Sequence, residues 1–155
     1  MGGPGFIDEK VHEETDNFQA VNFKINDETY CSAENYFQCA KTTTKEEHEL
    51  VRKSGPGIKA WNAGSKVKLR ENWDAIKVNE MYIGNKAKFD QNPDLSKLLT
   101  ETIGKVKFTG STNFWNYWNG LIMERLRAEI RKNGEEDLKV VYEITELMEK
   151  YQQNA

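Results

Sequence analysis

Cysteine and histidine are scarce in these 155 residues: two of each, at Cys31, Cys39, His12 and His48. Two cysteines cannot build a disulfide framework, and with two histidines at unrelated spacings they do not compose a four-ligand zinc site. The thiols read as a reduced pair in a cytoplasmic or nuclear protein. Long apolar runs are missing too. Nothing approaches the roughly 20 apolar residues of a membrane helix, and no charged-then-apolar leader opens the chain, so neither a membrane span nor secretion is expected. There is no glycine-rich phosphate loop, no dinucleotide fingerprint, no H-E-x-x-H and no G-x-S-x-G. Histidine-based triads are poorly supplied, and Cys39 with His48 has no spacing that places the two together. A large charge of one sign is absent as well. The 22 basic and 25 acidic residues leave −3, which is not the balance of a general polyanion binder.

What is present is enough for one core. At 17.9 kDa the folded surface should be about 8,000 Å², against about 26,000 Å² for the extended chain. The charge is uneven. Residues 1–16 hold five acids against Lys10, and with Gly2, Gly3, Pro4 and Gly5 they read as a flexible acidic tail. Residues 59–88 hold seven bases (Lys59, Lys66, Lys68, Arg70, Lys77, Lys86, Lys88) among Trp61, Trp73 and Tyr82. That pattern suits a phosphate-bearing ligand with flat rings, and equally a solvated helix face.

The alternation of Val21, Phe23 and Ile25, the turn Asn26-Asp27 and then Thr29-Tyr30-Cys31 predict a short hairpin. Ser32 caps a helix to about Lys41, and Thr44 with Glu47 is a capping box for a second to about Lys53. Gly55-Pro56-Gly57 breaks it before a turn or two ending at Gly64. Asn72 heads a long helix that ends before Pro93, carrying Trp73, Ile76, Ile83 and Phe89 inward. Asp94 caps a short one with Leu95, Leu98 and Leu99. Residues 105–109 alternate like a small strand. Two helices divided at Gly134 close the chain, the last placing Leu138, Val141, Tyr142, Thr145 and Met148 on one docking side. The reading is a mainly α (α+β) domain over 17–155, with an N-terminal β-hairpin and one further small strand.

The stretch Ser32–Lys41, SAENYFQCAK, is the most informative. Glu34, Gln38 and Lys41 fall at i, i+4 and i+7 and share one helical face. A carboxylate, an amide and an ammonium on one wall of a cleft can stabilise a cationic centre, orient a water and hold an anion; such a stripe is also what a solvated face looks like.

A wider series accompanies it: Asn22-Phe23, then Ser32-Ala33-Glu34 through Tyr36-Phe37-Gln38 and Lys41. Leu69-Arg70, Asn72-Trp73, Lys77, Met81 and Lys88-Phe89 follow, then Leu98-Leu99 with Thr102, and last Trp115, Asn116 and Leu121-Ile122-Met123 with Arg127. Over about residues 17–131 the chain resembles the NADAR (YbiA-like) family of N-glycosidases. That resemblance implies a mainly helical fold that cleaves N-glycosidic bonds without a metal or cofactor. The substrate would be ADP-ribosylated guanine, as a nucleotide or within nucleic acid, with ADP-ribose as product, or else a phosphorylated riboflavin-pathway intermediate. Two departures bear on the pocket rim. Thr112 stands where the family usually carries an acid, and Trp115 and Asn116 adjoin where it usually has a glycine-rich loop; a pocket that only binds ADP-ribose is the corresponding alternative.

The residue types suit the chemistry. Breaking a ribosyl C–N bond builds positive charge on the sugar, which a carboxylate at C1′ stabilises while it takes a proton from water. Glu34 is the candidate, with Gln38 on a ribose hydroxyl or that water. Lys41 is open to three roles: pairing with phosphate, tuning Glu34, or condensing with ring-opened ribose as a Schiff base. Arg70 and Lys88 are candidate phosphate clamps, with Lys77 behind them. Trp115 and Phe23 are candidates for stacking on the ligand, and the family match adds Asn22 and Asn116.

Overall fold

A computed structural model describes all residues, 1–155. Its accessible surface of 8,632 Å² agrees with the size expected for one core. Two separate antiparallel ribbons come first: β1 (Gly5–Ile7) with β2 (Lys10–His12), and β3 (Phe23–Ile25) with β4 (Glu28–Tyr30). Each is closed by two residues of positive φ, Asp8-Glu9 and Asn26-Asp27, the condition of the tight turn whose twist matches a hairpin.

Residues 1–16 are therefore built into the body rather than forming a tail. Phe6 exchanges two main-chain hydrogen bonds with Lys107, at 2.7 and 2.9 Å. A 3₁₀ turn, Glu13–Thr15, buries Glu14 and Thr15, and Thr15 Oγ1 accepts from Gly5 N at 2.7 Å. The partners that order this segment lie a hundred residues away or in its own turn, and composition reports neither. The same bridge is all that becomes of the strand expected at 105–109.

Seven helices follow: α1 (Ala33–Ala40), α2 (Lys45–Arg52), α3 (Ile58–Gly64), α4 (Trp73–Gln91), α5 (Pro93–Thr100), α6 (Asn113–Arg131) and α7 (Gly134–Asn154). Ser32 and Thr44 cap α1 and α2 as their sequences predict, accepting from Asn35 N and Glu47 N. Asn72 caps α4 with no side-chain bond, and α5 starts two residues earlier than an Asp94 cap would place it, at Pro93 behind Asn92. Thr112 caps α6 through Trp115 N at 3.2 Å, which gives this residue a structural use of its own.

The main core joins Phe37 of α1, Trp73, Met81 and Phe89 of α4, Leu99 of α5, Trp115, Trp118 and Ile122 of α6, and Ile144 and Met148 of α7. A smaller cluster, Phe23, Tyr30, Cys39 and Val51, lies under the second ribbon. The docking side of α7 differs from the expected one. Leu138 and Tyr142 are about 70% exposed, and the buried line runs through Asp137, Ile144 and Met148, with Val140 and Tyr151 alongside. The rotation is set by a clasp at the helix start. Asp137 accepts from Arg131 Nη2 at 2.7 Å, Arg131 Nε at 3.0 Å and Asn133 N at 2.7 Å. Once Asp137 faces inward, positions 140, 144, 148 and 151 must follow it.

Arg131 holds the Asp137 carboxyl below the usual carboxylate range. Asp137→Ala leaves that guanidinium without its partner and α7 without its anchor. It should cost about 2 kcal/mol in urea unfolding at neutral pH. The loss should shrink as pH falls through the carboxylate range, because the native state then no longer keeps Asp137 ionised.

Candidate active site

Helix α1 has eight residues, six of them buried, Glu34, Asn35 and Gln38 among them. Its first turn is gripped from both sides. Ser32 Oγ accepts from Gly57 N at 3.1 Å and donates to Asn35 Oδ1. Asn35 Nδ2 donates to Gly55 O at 2.9 Å. The N–H of Glu34, one of the donors a helix start leaves open, is taken by Asn17 O at 2.9 Å. At the other end Arg70 N donates to Lys41 O at 3.0 Å, and its guanidinium reaches Ala40 O at 3.4 Å.

The expected stripe of Glu34, Gln38 and Lys41 is thus an interior wall and not a solvated face. Glu34 is 0% exposed. One carboxylate oxygen accepts from Gln38 Nε2 at 2.5 Å, and the other meets the amino group of Met1. Gln38 Oε1 has no partner and lies against Gly64 of α3, where a β-carbon would collide with it. Lys41 is half-buried, its ammonium over the Phe37 ring at 5.8 Å from the centroid. Desolvation pushes its ammonium below the usual lysine range, opposed by the charge of Glu34 and assisted by that of Lys77. Burial likewise lowers the Met1 amine, against the pull of Glu34. Met1 packs on the main core, and its carbonyl accepts from Asn17 Nδ2 at 3.0 Å. The first residue of the chain therefore fills the space beside Glu34.

The other candidates separate into two groups. Lys77 stays near the site, its ammonium on Asp74 at 3.1 Å and over the Phe114 ring at 4.5 Å. Arg70 is bound to the end of α1, with no carboxylate partner. The remainder serve elsewhere. Asn22 is exposed and uses its carbonyl to hold Asn92. Phe23 is spent in the smaller core, stacked on Tyr30. Trp115 is packed edge-on against Phe37 and Phe114, so its surface is already used. Asn116 staples Ser111 through both amide atoms, at 3.0 and 3.2 Å. Arg127 and Thr102, far apart in the chain, are partners at 3.0 Å. Cys39 donates to the main-chain carbonyl of His48, and its thiol is pushed far above the usual range by burial, so no thiolate pair forms there.

Lys88 is the largest departure. It is fully buried, its ammonium donates to Asp16 O at 3.1 Å, and burial pushes it down to about 8. It supports the loop that carries Asn17 and is no surface clamp. Asn17 itself, missed in the sequence, is 1% exposed and bonded to Asn85 of α4. The only signal for it was its place beside Asp16 and Phe18, next to a segment that composition marks as loose.

The family model for the NADAR domain matches residues 6–135, and the chain belongs to that family. It is 33% identical over 104 residues to proteins named N-glycosidase YbiA from Escherichia coli (strain K12) and Shigella boydii serotype 4. The match covers 66% of this chain and 64% of each relative's length. The NMR structure of the E. coli protein YbiA superposes with a TM-score of 0.64 at 26% identity, covering 77% of this chain and 76% of that one.

The state of Lys88 has a measurable consequence. In the unfolded chain the amine keeps its proton to about pH 10, and in the fold it releases it near 8, so the unfolded state binds more protons between those values. Stability therefore rises with pH across that window. Between pH 7.5 and 9.5 the wild type should gain about 2 kcal/mol relative to Lys88→Met in urea unfolding. Parallel stability curves for the two proteins would refute it.

Proposed function

We propose that this protein is a hydrolase that cleaves an N-ribosyl bond, with ADP-ribosylated guanine as substrate and ADP-ribose as product. One observation carries the reading: a fully buried carboxylate, Glu34, whose partners are the Gln38 amide and the Met1 amine. A site that accepts positive charge against a desolvated carboxylate suits a ribosyl group as its C–N bond breaks. Coulomb attraction there is several-fold stronger than in water. As the bond lengthens, the electron pair leaves with the nitrogen and C1′ becomes cationic. Glu34 faces that charge, takes a proton from the attacking water, whose oxygen bonds to C1′, and yields that proton to the departing nitrogen, so the amine leaves neutral. Gln38 fixes the carboxylate's orientation through its 2.5 Å bond. Arg70, held at the end of α1, and Lys77, whose charge acts on Lys41, supply positive charge for the pyrophosphate, and Lys41 is partly desolvated under the charge of Glu34.

A second substrate, a phosphorylated riboflavin-pathway intermediate, would use the same carboxylate with fewer phosphate contacts. The capping role of Thr112, where family members usually carry an acid, favours a third reading, a pocket that binds ADP-ribose without turnover.

The test is a side-by-side assay. A guanine-ADP-ribosylated oligonucleotide should release ADP-ribose, and Glu34→Gln should slow that release by about 10²-fold or more. Turnover of the riboflavin-pathway intermediate alone would transfer the activity to that substrate. Tight calorimetric binding of ADP-ribose with no turnover of either substrate would make the protein a binding module. Cyanoborohydride trapping decides the part of Lys41: a mass increment on this residue marks condensation with opened ribose, and its absence leaves Lys41 acting through charge.

A further inference from the structure

Two polar atoms of the occupant beside Glu34 are read by the protein, and by different residues. The Met1 amine meets the Glu34 carboxylate, and the Met1 carbonyl accepts from Asn17 Nδ2 at 3.0 Å. Nitrogen and carbonyl oxygen of one residue lie roughly 3 Å apart, so the Asn17 donor and the Glu34 acceptor address neighbouring atoms of one residue. Asn17 is itself held in place. Its Oδ1 accepts from Asn85 Nδ2 at 2.8 Å, and its Nδ2 also lies 3.5 Å from Asn119 Oδ1. Asn85 is tied in turn to Met81 O at 3.1 Å. All three asparagines are buried to within 2% of completely, and they come from a loop, α4 and α6.

This trio is not closed. Asn85 Oδ1 and Asn119 Nδ2 have no partner, one acceptor and one donor left over in the interior. A core network with orphaned atoms costs more stability than an apolar packing of the same shape. A hydroxyl both gives and takes a hydrogen bond, so it can stand where the Met1 carbonyl now accepts the Asn17 N–H.

We propose that Asn17 is a substrate-contacting residue of the N-ribosyl site: its carboxamide N–H donates to the 2′-hydroxyl of the ribose whose anomeric carbon faces Glu34, and Asn85 and Asn119 fix its orientation. The inference rests on the reading of the site as one for N-ribosyl groups. A hydrogen bond to the oxygen next to the reacting carbon strengthens as charge develops there, so it serves the transition state more than the ground state. Through its main chain Asn17 also positions Glu34, whose N–H it accepts at 2.9 Å, so the sugar contact and the carboxylate share one support.

The experiment uses two sugar phosphates that need no turnover. Titrated calorimetrically into the full chain, ribose 5-phosphate should bind at least about 10-fold more tightly than 2-deoxyribose 5-phosphate. Asn17→Asp keeps the oxygen that Asn85 needs and removes the donor. It should bring the two sugars within about 2-fold of each other and lower kcat on an N-ribosyl substrate by about 10²-fold with a smaller change in KM. Asn17→Ser, which restores a short donor, should recover part of the preference. Should neither variant fold, the side-chain amide resonance of Asn17 in the ¹⁵N-labelled wild type decides: it shifts with ribose 5-phosphate and not with the deoxy sugar. Equal binding of the two sugars by the wild type, no binding of either at millimolar concentration, an undiminished preference in a folded Asn17→Asp, or an unmoved resonance overturns the inference. A preference that depends on Asn17 in a protein with no turnover on any N-ribosyl substrate would leave the contact standing and remove the catalytic reading instead.

Discussion

A carboxylate placed entirely out of water governs the rest of this structure. Desolvating such a group costs several kcal/mol unless donors and positive charge surround it, and the fold spends its most specific local chemistry on meeting that cost at Glu34. The residue stands in the first turn of α1, where the helix dipole is favourable to an anion. Both ends of that helix are tied down, through Ser32 and Asn35 to the loop before α3 and through Arg70 at the exit. Gln38 follows one turn later, the spacing that lets an amide reach back to the carboxylate. Lys41 closes the face with an amine that Glu34 helps to keep charged.

Around this wall the interior is divided by chemistry. Aromatic and aliphatic side chains of α4, α6 and α7 make one continuous apolar mass. A polar pocket of Asn17, Asn85, Asn119 and Lys88 runs along its edge, beneath the loop that carries Asp16. Polar groups kept this deep reduce stability relative to well-packed apolar ones and fix geometry in return. Here the geometry fixed is that of the loop whose carbonyl receives the Glu34 N–H.

Much of the local design is written in short-range pattern. The Ser32 and Thr44 caps, the Asn26-Asp27 turn and the shared face of Glu34, Gln38 and Lys41 depend on neighbours a few residues away, and each has the predicted form. The family resemblance is likewise sound, since the NADAR model spans most of the chain. What could not be read depends on distant partners. Residues 1–16 are ordered by Lys107 and by their own 3₁₀ turn, which no local composition reveals. Lys88 looks like a surface cation until Asp16 is seen above it. Trp115 and Asn116 fit the family series, yet one packs against Phe37 and the other staples Ser111. The apolar residues of α7 allow more than one docking side, and a single ion pair at Asp137 selects between them.

The seating of Met1 beside Glu34 changes what any affinity measured on this molecule means. Two bodies cannot share that space, so any molecule reaching Glu34 competes with a tethered rival whose local concentration is far above that of a free solute. The dissociation constant observed then exceeds the intrinsic one by the reciprocal of the fraction of molecules in which the segment has swung clear.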